Sequence, residues 1–117
     1  MGELSPRAAQ VLQRMQAKFP QITSPADIPL PSGTANAYDA TYIIAEAIRL
    51  AGRLDRDAFR QALYRVNYDG VVASYRPAFE PRQERHDAIL PSNYKLFAFH
   101  NGQMLPVEQT PFRQAAR

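Results

Sequence analysis

The chain has 117 residues and no cysteine, with 14 basic against 11 acidic side chains, a formal charge of +3 and a pI near 9.5. Disulfides, thiol catalysis and thiolate metal sites are thereby excluded. Every apolar run is broken by charge well before the roughly 20 residues a membrane helix needs. The length suits one domain or a piece of a larger one. Residues 1–10 lack the basic and apolar regions of an export signal. The sequence as it stands therefore reads either as cytoplasmic or as an exported chain whose leader has been removed.

The basic balance raises nucleic acid as a partner, but the charges are scattered. Arg53, Arg56, Arg60 and Arg65 alternate with Asp55 and Asp57. That is the pattern of a solvated face carrying ion pairs, so nucleic acid is not an expected partner.

In chain order, Ser5-Pro6 is an N-cap followed by proline at the first helical position. Ala8, Val11, Leu12, Met15 and Phe19 recur at helical spacing until Pro20, predicting an amphipathic helix of about four turns. Pro20, Pro25, Pro29, Pro31 and Gly33 predict an ordered surface loop with no regular element. A second helix is expected from about Asn36 to Ala51, with Tyr38 and Asp39 near its start and Gly52 as its stop. On it Asp39, Tyr42, Glu46 and Arg49 form a narrow polar stripe, while Ile43, Ile44, Ala47, Ile48 and Leu50 help fill a wide apolar arc. Each buried Ile or Leu is worth about 1.5–3 kcal/mol, so this helix is expected to be covered on at least two sides.

Asp55 is the expected N-cap of a short third helix whose buried stripe is Leu54, Phe59, Ala62, Leu63 and Val66. From Tyr68 to Phe79, β-branched and aromatic residues predict a strand near an edge or bend, interrupted by Gly70 and Pro77. A polar, irregular segment follows over residues 80–92. Residues 93–107 then predict a hairpin turning at His100-Asn101-Gly102, because Asn-Gly tolerates positive φ. Residues 109–117 read as a frayed or partly helical tail.

Motifs for chemistry are missing. His86 and His100 have no partner at metal-ligand spacing, and no nucleophile elbow, phosphate loop or dinucleotide fingerprint occurs. No enzyme activity, metal or cofactor is expected. Tyr64, Tyr68 and Tyr75 read either as ordinary core or as the wall of a ligand pocket. Tyr38 and Asp39 also carry two readings. Asp39 either stabilises a partially positive helix end, or meets an amino group in a cleft that Tyr38 walls.

Residues 35–71 bear a series of short signatures in order: Tyr38-Asp39-Ala40, then Ala47-Ile48-Arg49-Leu50-Ala51-Gly52, then Asp55 through Leu63, then Gly70-Val71. The ending from Asn93 to Val107 completes the series. Over about Val11 to Val107 this resembles the C-terminal part of type I periplasmic solute-binding proteins, the branched-chain amino-acid-binding family of ABC importers. A second glycine usual in that family after Gly70 is replaced here around Ala73-Ser74.

The resemblance implies an α/β fold, a fragment of a two-lobed type I binding protein. Its parts are three helices, a strand and a C-terminal β-hairpin over residues 1–108, with 109–117 as tail. It implies a periplasmic parent that binds a small solute, an amino acid or related organic acid or amide, for delivery to an ABC permease. The candidate ligand-binding residues are Ala35, Tyr38 and Asp39, with the small Ala35 leaving room for a bulky solute. It also implies that the segment from Val71 to Tyr94 includes a hinge crossing between lobes. A fragment of this kind leaves strand edges and apolar faces unpaired. The competing expectation is therefore a self-associating module without ligand, a homodimer by strand or helix exchange.

Overall fold

The computed structural model describes residues 4–83 and 86–116. They fall into two compact units, one over Leu4–Ile89 and one from Leu90 onward. The first unit opens with α1, Pro6–Lys18. The Ser5 hydroxyl oxygen accepts from the Ala8 amide at 3.2 Å, and Pro6 occupies a position that needs no amide donor. The Phe19 amide closes the far end on the Met15 carbonyl at 2.8 Å.

The expected loop holds one short 3₁₀ turn, Pro25–Asp27. Asp27 Oδ2 organises it, accepting from the amides of Thr23 and Ser24 at 3.0 and 2.8 Å and from the Thr23 hydroxyl at 2.8 Å. These bonds hold the Asp27 carboxyl below its ordinary range, the Thr23 hydroxyl contributing most.

The second helix, α2, runs Pro31–Ala51, so the expected start at Asn36 is too late. Pro31 breaks nothing because it is the first helical residue. Leu30 turns the chain into the helix at φ 50°, and its side chain folds over Gly33, where a Cβ would meet Leu30 Cδ2 at 2.8 Å. Gly52, at φ 66°, ends α2 with its amide on the Ile48 carbonyl. Ile43 and Ala47 are buried, whereas Ile44 and Ile48 stay 48% and 49% exposed. The two-sided cover expected for this helix is present on one side only, among the described residues.

α3, Arg56–Leu63, starts from Asp55, whose Oδ1 accepts from the Ala58 amide at 2.8 Å. Leu54, expected in the buried stripe, is fully exposed because it precedes the cap and lies off the helix's inner face. The single strand expected over residues 68–79 is instead a tight antiparallel pair. β1, Tyr68–Asp69, and β2, Ser74–Tyr75, place Tyr68 opposite Tyr75. Between them the chain reverses, with the Gly70 amide on the Ala73 carbonyl at 2.9 Å. The core joins Ile43, Ala47, Ala62, Val66, Tyr75 and Ala78.

In the second unit β3, Phe97–His100, pairs antiparallel with β4, Gln103–Pro106. Asn101 and Gly102 make the turn at φ 51° and 75°, the positive values that the Asn-Gly pair predicts. Val107–Gln109 and Pro111–Ala116 are 3₁₀ turns. The architecture is mixed α/β, three helices followed by short antiparallel strand pairs.

Candidate functional site

The three residues singled out from the sequence lie on one face of α2, because positions three and four apart are neighbours on a helix. The longer helix moves them: Ala35, Tyr38 and Asp39 belong to its second and third turns, not to its first. The unpaired amides of a helix start are therefore not what Asp39 meets.

Asp39 is 1% exposed. Its Oδ1 accepts from the Val71 amide at 2.7 Å, and its Oδ2 from the Val72 amide at 2.8 Å and the Tyr75 hydroxyl at 3.0 Å. A buried carboxylate is costly unless hydrogen-bonded, and here three donors surround it. Burial, together with the negative Asp39, pushes the Tyr75 phenol far above its ordinary range, so it stays a donor. The turn fits tightly against this group: a Cβ on Gly70 would lie 2.3–2.6 Å from the three carboxylate atoms of Asp39. The side chain thus clamps the 70–73 turn onto α2.

Ala35 sits beside this clamp. With Val11, Met15, Ile28, Thr34 and Val71 it lines a slit of about 130 Å³ between α1 and the start of α2. Tyr38 points along the outer flank, where it begins a row of rings. Its centroid lies 4.7 Å from that of Tyr42; Tyr42 stacks on Tyr68 at 5.8 Å, and Tyr68 on Tyr75 at 6.4 Å. The Arg7 guanidinium lies over the Tyr68 ring at 5.6 Å while its Nε donates to the Asp69 carbonyl. The buried Tyr68 hydroxyl has no hydrogen-bond partner among the described residues. Tyr64 stands apart from this row, its ring 6.5 Å from that of His86. Of the expected Tyr64, Tyr68 and Tyr75 cluster, Tyr68 and Tyr75 come together, and Tyr42 joins them. Its i, i+4 relation to Tyr38 was the available signal. The amides of Val71 and Val72 had none, since a main-chain donor leaves no mark on residue type.

On the opposite flank of α2 lies a groove of about 470 Å³. Ile43, Ile44, Phe59, Leu63, Phe79 and Ile89 line it, with Asn36 at its margin. Its apolar floor continues along the exposed Ile44 and Ile48 toward Leu54. No group of three or more His, Cys, Asp or Glu side chains suited to a metal occurs among the described residues.

A sequence model for the family described as periplasmic binding protein matches residues 2–96. No curated protein and no solved structure gives a significant match to the chain.

Proposed function

The chain belongs to the periplasmic binding protein family, whose members bind small solutes, and on that premise we propose that it is the C-terminal part of a receptor for an amino acid or a related organic acid or amide. The parent protein works in the periplasm, closes its lobes over the solute and hands it to an ABC permease, with no chemical step. Residues 1–108 are its share of the binding fold and 109–117 a tail. Ala35 and Tyr38 approach the solute, and Asp39 acts at one remove by fixing the Val71–Val72 turn beside them. The segment after that turn carries the hinge between lobes.

One observation supports the fragment reading: α2 leaves Ile44 and Ile48 half exposed beside an apolar groove of about 470 Å³. Folds of this class bury such a helical face under a second layer, which the short strand pairs described here do not supply. Alone, the chain has half a cleft and should bind weakly. Calorimetry against a panel of amino acids and aromatic acids tests this, with no heat of binding expected at micromolar solute. Micromolar affinity would overturn the requirement for further lobes.

A second reading, a self-associating module without ligand, draws on the same uncovered face and on the half-exposed Phe97 and the more exposed Phe99 of β3. Light scattering separates the two. A concentration-dependent dimer lost in the Ile44→Ser/Ile48→Ser double variant favours this reading, and a monomer at all concentrations removes it.

A further inference from the structure

Tyr38 and Tyr42 stand one turn apart on α2, with ring centroids 4.7 Å apart and planes tilted by 39°. The Tyr38 hydroxyl and Arg14 of α1 both bear on the Tyr42 phenol. Rings with centroids 4.7 Å apart are in contact, and in a phenoxyl radical the carbons ortho to the oxygen carry much of the unpaired spin. Tyr42 is 40% exposed, so a dissolved oxidant reaches it directly. Behind it, Tyr68 and Tyr75 continue the row at 5.8 and 6.4 Å, so a hole formed on an inner ring has a path outward.

We infer that the Tyr38–Tyr42 pair is a built-in site of oxidative cross-linking, which a one-electron oxidant converts to a dityrosine that staples adjacent turns of α2. Each phenol loses one electron and one proton. The two phenoxyl radicals form a carbon–carbon bond between ortho positions, and the hydrogens on those carbons shift to the oxygens, restoring two phenols. The net change is the loss of two hydrogen atoms to the oxidant. The Tyr38 hydroxyl, then Arg14, holds the Tyr42 phenol below its ordinary range, while burial and then Tyr42 hold Tyr38 above its own, so Tyr42 is the ring that gives up its proton first. The helix accommodates the product because side chains four apart are neighbours on its surface. No solute is required, so the inference stands apart from the transport reading.

The test is brief visible irradiation of the dilute full chain with ruthenium tris-bipyridine and peroxodisulfate, which accepts two electrons to give two sulfates. The expected product is a monomer lighter by two hydrogens, with dityrosine fluorescence. Trypsin then releases residues 19–49, which contain Tyr38 and Tyr42 and no other tyrosine. A protease cutting before aspartate severs the Tyr38–Asp39 bond, and the cross-linked peptide alone stays joined across that cut. Tyr42→Phe and Tyr38→Phe, each checked for native circular dichroism, should abolish the product. Tyr94→Phe should leave it intact, and urea should lower its yield several-fold. A monomeric product that persists in Tyr42→Phe, maps to other tyrosines, or forms equally in urea overturns the inference. So does coupling that occurs only between chains.

Discussion

Asp39 performs a task usually left to a neighbouring strand: it satisfies the amides of Val71 and Val72 where the chain reverses. Replacing it by alanine leaves two amides and the Tyr75 hydroxyl without an acceptor. At about 1–3 kcal/mol for each stranded buried donor, the first unit should lose at least about 3 kcal/mol in urea denaturation. Tyr75→Phe removes one bond to a charged acceptor and should cost about 1.5–3 kcal/mol. Gly70→Ala forces a methyl into the Asp39 carboxylate and should cost about 1–3 kcal/mol without changing any hydrogen-bonding group. Asp27 has a different signature because its carboxyl is depressed. The unfolded chain takes up that proton near pH 4, so the contribution is intact above this and lost as pH falls through the lower folded value. Amide shifts of Thr23 and Ser24, followed by NMR during acid titration, should therefore move with a midpoint below the ordinary aspartate range.

At the scale of elements, α2 divides into a buried edge and an uncovered one. Ile43→Ala should cost about 2–5 kcal/mol, while Ile48→Ser should cost less than about 1 kcal/mol, both measured by denaturant titration. Helix identities were legible from the sequence because Ser5, Asp55 and Gly52 are local signals whose partners lie within four residues. The start of α2 was not. Pro31 and Gly33 look like loop residues until Leu30 is seen to fold over the glycine. The burial of Asp39 is illegible for a related reason. A carboxylate on a helix face reads as polar surface, and only the turn at Val71, 32 residues later, makes it an interior group. The turn of the β3–β4 hairpin was legible, since Asn101-Gly102 fixes it without help from distant residues, although the strands are shorter than the expected 93–107 span.

Among the described residues, both units keep large apolar side chains exposed. In the first unit that surface is the α2 groove, and in the second it is Phe97, Phe99 and Met104 on the strands. The proposed reading as part of a larger binding protein would account for the first, because a helical layer in such a fold is one layer of a larger sandwich. The clamp on the 70–73 turn has a further consequence, one of timing. Val71 and Val72 lie outside any strand or helix, yet their donors end on a carboxylate that separates only if α2 and the turn part company. Deuterium should therefore enter these two positions more slowly than the rest of the turn, at the rate set by opening of the entire Leu4–Ile89 unit. Two loop amides would then be the slowest clock in that unit, and hydrogen–deuterium exchange read residue by residue would show a loop outlasting the ends of its own helices.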